Sequence, residues 1–506
     1  MDTQEEIKET LKSIGNMDRR HFVKIMAAVG LATAAGAGTA SAATSSAKGK
    51  IVVVGGGAAG ISTAAKLLRR LENPDITIID PSDLHYYQPG FTLIGGGVYG
   101  ADDVYKKQED CIPDGAKWIK DSVIEVDPEK NKVVTSKNGT IDYDFLVLAP
   151  GLQINWGGVE GISREKLGEG DAYCIYDHQG AIRTWDGMQK FARNGGRGIY
   201  TDTYTKHKCG GAPKKICMLT EHLSRKYGTR EKLDFNFYTA ANELYDVPFF
   251  TKRLLEIYKE RNIPISTHVR LKGIDTSTKT AYFIKEIADK DNPSKSKVVE
   301  TKEQYDFIHF LPPMTAPDFI KKSGLSIEKG KTAAEGWAAV DKHTLVHPKH
   351  KNIIVLGDAS ALPTSKTSAA IRKQYPIAAE NLISIMEGKE PSEKYDGYAA
   401  CPIVTDYGHV LMCEFDYAKE PKISFPLSLF RYVKGKPIGV VFEGLYAKTN
   451  IFLRNVKRAD LALACDIAQK KSPPFGGVFL SGADMEFFQC VKFFEKRYGK
   501  SVGYFL

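Results

Sequence analysis

The sequence predicts an α/β protein built from two Rossmann-like dinucleotide-binding domains, extended at the C-terminus by a region with amphipathic helices. Three observations carry this expectation. KIVVVGGGAAGISTAAKLL, from Lys50, reads as a buried strand, a glycine turn and a helix. YDFLVLAPGLQINW, from Tyr143, and NIIVLGDASALPTSKTSAA, from Asn352, read as two further buried strands that end in glycine turns. GIYTDTY, from Gly198, starts another strand-to-helix unit that runs into KHKCGGAPKKICML. Short unbroken runs of Val, Ile and Leu mark strands covered on both faces, as in a parallel sheet.

In the first unit Gly55, Gly57 and Gly60 form G-x-G-x-x-G. The first glycine permits the tight turn, the second lets backbone approach a pyrophosphate, and the third lets helix and strand pack closely. Ala58 opens the helix, whose N-terminus favours an anion. The next strand, DITIID, ends in Asp80, the place for an acid that hydrogen-bonds the adenosine ribose. The two later strands end in Ala149-Pro-Gly151 and Gly357-Asp358.

The middle unit departs from this pattern. Where a second glycine cradle belongs, the chain reads Lys208-Cys209-Gly-Gly-Ala-Pro213. Pro213 suits the start of a helix, which leaves Cys209 at the turn. A thiol near a helix N-terminus, with Lys206, Lys208, Lys214 and Lys215 close in sequence, is expected to be acidic and nucleophilic. A sulfur site therefore replaces a nucleotide cradle, and a hydride donor such as NADH is not expected there. Cys217, eight residues on, lies too far along the same helix to bond with Cys209.

Length and composition agree. A chain of 506 residues with 42% hydrophobic content can bury two or three domain cores. The net charge of +9 is diffuse; it suits an anionic substrate or membrane surface and gives no ground for a nucleic-acid partner. Residues 18–42, DRRHFVKIMAAVGLATAAGAGTASA, pair Arg19 with Arg20 before a mild apolar stretch and a small-residue end. This reads as a twin-arginine export signal over 1–42 and implies a periplasmic mature protein. No later apolar run is long enough to span a bilayer. None of the eight cysteines forms C-x-x-C, so no metal site is expected.

The three strand segments resemble the two-dinucleotide-domain flavoproteins of the glutathione reductase type. That likeness implies FAD, with the Asp358 carboxylate on its ribityl chain. Cys209-Gly-Gly-Ala-Pro-Lys-Lys-Ile, HYYQPGFTLIGGG (85–97), GDASALPTSKTSAA (357–370) and YDGYAACPIVTDYGHVLMCEFDY (395–417) resemble the sulfide:quinone oxidoreductase family over roughly residues 48–420. The resemblance implies an FAD-binding domain of 48–155 and 335–395, a sulfur-carrying domain of 156–334, and a quinone or membrane region of 396–506. It also implies a redox cysteine pair on one flavin face and quinone on the other.

One departure stands out. In many members the second redox cysteine follows the Gly-Asp pair; here that position is Ala359. Two substitutes remain open. Cys401 resembles the partner cysteine of the flavoprotein subunit of flavocytochrome c sulfide dehydrogenase. Cys174 resembles a cysteine that lies by the flavin in other members, with His178 matching a family histidine. The resemblance implies attack of hydrosulfide on the cysteine site to leave a persulfide, with electrons passing to FAD. Lys215 and Lys366 would attract the anion and stabilise negative charge on the flavin, and His178 would move protons.

The acceptor is expected to be membrane quinone, or alternatively a separate c-type cytochrome, since the chain lacks C-x-x-C-H. In the tail, Phe487, Val491, Phe494 and Tyr498 fall on one helical stripe flanked by Lys492, Lys496 and Arg497. This suits a bilayer interface, and equally a helix packed on the core or in a homo-oligomer.

Overall fold

A computed structural model describes residues 44–288, 296–407 and 409–422, with the short segments 432–433 and 436–437. The leader 1–42, the stripe from Phe487 to Tyr498, and Cys465 and Cys490 lie outside the described residues. All elements named below belong to the unit Ser45–Lys470.

The chain opens with β1 (Lys50–Val54), α1 (Ala58–Arg70), β2 (Asp75–Ile79), β3 (Lys117–Ile119) and β4 (Phe145–Leu148). These strands pair in parallel, β3 on β2, β2 on β1 and β1 on β4. The unbroken apolar runs are buried, because α1 covers one face of the sheet. Between β3 and β4 three short antiparallel strands form a separate sheet.

A second parallel sheet follows, built from β5 (Ala172–Tyr173), β6 (Gly196–Thr201), β7 (Leu233–Tyr238), β8 (Ile265–Ser266) and β9 (Phe307–His309), with α2 (His178–Asn194), α3 (Ala212–Lys226) and α4 (Pro248–Glu260) between them. Its order is β5-β9-β6-β7-β8, so β6 is central. The Asp177 carboxylate accepts the Gly180 N–H and starts α2.

The chain then returns to the first sheet. β10 (Ile353–Val355) pairs with β4 in parallel, which makes the order β10-β4-β1-β2-β3. α5 (Ser368–Met386), capped by Thr367, packs against α1, and Arg70 of α1 meets Glu380 of α5 at 2.8 Å. In each sheet a central strand has neighbours added in opposite directions. The crevice at that strand's carboxyl end is where such folds hold ligands.

After α5 the chain forms a hairpin of β11 (Ala399–Ala400), β12 (Ile403–Val404), β13 (Val410–Leu411) and β14 (Glu414–Phe415). One register runs through it, with Ala400 opposite Glu414 and Ile403 opposite Leu411. The ladder breaks at Cys401-Pro402, where proline has no N–H to give. β12 packs on α3, and this contact brings the C-terminal hairpin to the middle domain's turn.

Candidate active site

The turn after β1 takes three residues, Gly55–Gly57. A Cβ on Gly55 would fall 2.3 Å from the Ala149 carbonyl oxygen, and one on Gly60 would fall 1.9 Å from that of Gly55. Both glycines are therefore required by backbone contact. Gly57 differs: a Cβ there meets nothing within 4 Å, and no side chain caps α1. The first-turn N–H groups thus face open space at the positive end of a helix, a site shaped for a pyrophosphate.

The surrounding residues fit the rest of a dinucleotide. Gly151 holds φ +74° with nothing within 4 Å of a Cβ. Gly357 holds φ +73° beside Ala59, and its N–H donates to Gln374 Oε1 at 2.9 Å. Burial pushes the Asp358 carboxyl upward, against the pull of Lys366 and Lys208. Asp80 has work within the protein: its oxygens accept the Gly56 N–H at 2.7 Å and the Ser82 N–H at 2.8 Å. A carboxylate keeps further lone pairs for a ribose.

The corresponding turn of the second sheet is unlike the first. From Thr201 at the end of β6 to Ala212 at the start of α3, it runs through residues 202–211 and makes no tight glycine cradle. Cys209 adopts φ +50°, a conformation few non-glycine residues accept. The turn is held in place: Cys209 N–H donates to the Lys366 carbonyl at 3.0 Å, and its own carbonyl accepts from Ala212 at 2.9 Å. The Tyr176 hydroxyl donates to the carbonyls of Lys208 and Cys209 at 2.9 and 3.2 Å.

This geometry aims Cys209 Sγ at Cys401 Sγ, 3.2 Å away, with Lys215 Nζ 3.6 Å from Cys209 Sγ. The approach needs Gly211, where a Cβ would lie 2.8 Å from Ile403 and 2.9 Å from Cys401 Sγ. The thiols share a proton unequally. The hydrogen bond from Cys401 draws the Cys209 thiol well below its ordinary pKa, assisted by Lys215 and the Gly211 N–H and opposed by burial. The same hydrogen bond, with burial, drives Cys401 far upward. Burial works against the Lys215 charge, but Cys209 and Cys401 outweigh it and raise that pKa. These directions favour a thiolate on Cys209, a thiol on Cys401 and an ammonium on Lys215 beside them.

The other expected residues divide. Lys366 is buried; its ammonium donates to the Asp358 and Ser360 carbonyls at 2.8 Å each and stands 3.7 Å over the Trp337 ring. Burial brings its pKa down to about 8. Lys214, expected near the sulfur, instead forms a buried pair with Asp202 at 2.8 Å. Cys174 is fully buried at the end of β5, and burial pushes its thiol up to about 12. His178 begins α2, with Nε2 2.8 Å from the Ala101 carbonyl oxygen and its ring among Tyr86, Phe91 and Tyr105. These partners are not those of the thiol pair. Sequence reasoning missed Tyr176 and Trp337, which hold the turn and the lysine; neither carries a local signal.

A cavity of about 540 Å³ opens beside the turn, lined by Asp202, Lys206, His207, Gly210, Lys214 and Lys366 among others. Among the described residues no helix is long and apolar enough to cross a membrane, and no group of acidic, histidine and cysteine side chains is arranged to hold a metal ion.

A glycine cradle on one parallel sheet and a paired thiol in place of a cradle on the other are features of an FAD-dependent oxidoreductase. Residues 49–196 match the family model described as Pyridine nucleotide-disulphide oxidoreductase. The chain is 40% identical over 378 residues to the mitochondrial sulfide:quinone oxidoreductase of Dictyostelium discoideum, covering 74% of this chain and 80% of that one. With the mitochondrial sulfide:quinone oxidoreductase of Mus musculus it is 36% identical over 381 residues, with the same shares. The solved sulfide:quinone oxidoreductase of Aquifex aeolicus shares the fold, with TM-score 0.61 and 21% identity over 90% of this chain and 96% of that one. The chain belongs to the sulfide:quinone oxidoreductase family.

Proposed function

We propose that the chain oxidises sulfide at the Cys209–Cys401 pair and delivers the electrons to membrane quinone. The 3.2 Å contact between the two sulfurs, with Lys215 beside them, carries this reading. In the oxidised pair, hydrosulfide attacks Cys401 Sγ. The bond to Cys209 breaks, and Cys209 leaves as a thiolate. Cys401 then carries the persulfide. Attack on this side is favoured because the leaving sulfur is the more acidic one, and Lys215 stabilises its charge. FAD, when bound, accepts the two electrons and passes them on. Gly57 and α1 would hold its pyrophosphate, and Asp358 with Lys366 would stand near its ring-bearing half.

Location belongs to the same proposal. The Arg19-Arg20 leader supports export to the periplasm and peripheral membrane association through 396–506. The Dictyostelium discoideum and Mus musculus relatives carry a mitochondrial location in their names, so export of this chain rests on its leader alone. Purified protein given sulfide and decyl-ubiquinone tests the activity: loss of quinone absorbance supports it, and reduction of cytochrome c with no quinone turnover overturns the choice of acceptor. Fractionation of cells expressing the wild type and an Arg19→Lys/Arg20→Lys variant tests export, which fails if both fractionate alike.

A further inference from the structure

A third thiol adjoins the reactive pair. The pairs on either side of the break, Ala400 with Glu414 and Ile403 with Leu411, bracket Cys401 against Cys413, and the Cys401 N–H donates to the Cys413 carbonyl at 2.8 Å. Residues opposed in an antiparallel ladder project from the same face. Hydrogen-bonded opposed residues stand about 5.5 Å apart at Cα, inside the roughly 4.4–6.8 Å that a disulfide spans. Cys413 is a fully buried free thiol. The groups that act on it come from several elements: Lys215 on α3, Cys209 on the turn, Cys401 across the hairpin, Tyr245 and Asp246 after β7, and Glu414 beside it. Burial, the strongest influence, keeps it protonated well above the ordinary thiol range.

We propose that Cys413 is a third redox thiol, which exchanges into the Cys209–Cys401 disulfide to form a Cys401–Cys413 disulfide and release Cys209. The inference rests on the reading that Cys209 and Cys401 cycle through a disulfide. Cys413 gives up its proton, and its sulfur bonds to Cys401 Sγ. The Cys209–Cys401 bond breaks, and Cys209 takes the electron pair. The proton ends on Cys209 or in solvent according to pH. Nothing is oxidised or reduced overall, so no further reagent is needed. The direction follows from leaving-group acidity: Cys209 departs easily because Lys215 stabilises its thiolate. The rate is limited by the scarcity of the Cys413 thiolate, so exchange is slow near neutral pH. The product holds the oxidising equivalent in a disulfide that hydrosulfide opens slowly, because attack on Cys401 would have to expel the weakly acidic Cys413 sulfur, with Cys209 left unpaired. Enzyme held without sulfide would drift into this form and show a lag when sulfide returns.

The test is a map of linked cysteines in the oxidised holoenzyme, quenched in acid and digested with pepsin without reduction. After incubation across pH 7 to 9 a Cys401–Cys413 linked peptide is expected, its rate of formation rising about tenfold per pH unit while thiolate remains the minor form. Cys413→Ala should lose that peptide and the lag and keep the Cys209–Cys401 link. Finding only Cys209–Cys401 at every pH overturns the proposal. Finding no Cys209–Cys401 link at any pH overturns the underlying pairing instead, so the two failures are distinct.

Discussion

The backbone carbonyl of Lys366 accepts the amide hydrogen of Cys209 at 3.0 Å. One bond thus joins the loop that follows Gly357-Asp358 to the turn that carries the reactive sulfur. Lys366 also reaches back through its ammonium to the Asp358 and Ser360 carbonyls. Lys366 therefore ties the sulfur turn to the first sheet's ligand crevice, and the strained Cys209 conformation is held at both its N–H and its carbonyl.

Replacing Cys209 by Ser should abolish bleaching of the flavin by sulfide while FAD stays bound, since its cradle is on the other sheet. Turnover should fall more than about a thousandfold, the scale seen when one member of a covalent catalytic unit is lost. Stopped-flow absorbance in the flavin band reads both. Comparable bleaching in the variant would remove Cys209 from the chemistry.

Lys215→Met should raise the Cys209 pKa, because the ammonium 3.6 Å away favours the thiolate. Loss of an opposite charge at this distance is worth about 1–3 pH units. The midpoint for iodoacetamide labelling of Cys209 in reduced enzyme should move up, so that at a fixed acidic pH labelling slows. Lys215→Arg should recover most of the shift. An unmoved midpoint in the Met variant counts against the charge effect.

Two glycines of the first turn should respond in opposite ways. A Cβ on Gly57 meets no protein atom within 4 Å, so in Gly57→Leu the unfolding midpoint of the apoprotein should hardly change, yet FAD retention on desalting should be lost. Gly60→Ala would place a methyl 1.9 Å from the Gly55 carbonyl oxygen and should destabilise the protein itself by about 1–3 kcal/mol. Calorimetry and flavin content separate the outcomes; FAD held normally by Gly57→Leu would move the pyrophosphate elsewhere.

Gly211→Ala tests the approach of the hairpin to the turn. The added methyl meets Ile403 and Cys401 Sγ below 3.0 Å, so the strand must retreat. The yield of the Cys209–Cys401 link after mild oxidation should fall several-fold, with a stability loss of about 1–3 kcal/mol. An undiminished yield would show that the hairpin has slack there.

Much of this site was readable along the chain. The glycine turn, the strand ahead of it, Pro213 at the helix start and the cysteine between them are contiguous, and their conformations follow from local sterics. The same reading placed Lys214 among the lysines near the sulfur, where the structure pairs it with Asp202; neighbours in sequence on a helix point in different directions. The segment around Cys401 also contains Cys413, but a strand register is needed to see that the two are opposed.

By itself the sequence determined the two parallel-sheet units, the FAD cradle and the presence of an acidic cysteine where a second cradle would stand. All of these depend on residues a few positions apart. Only the tertiary structure decided which thiol meets Cys209. Cys401 lies 192 residues away, and it arrives because a hairpin packs on α3 over Gly211, where the missing side chain leaves room for the two sulfurs to touch.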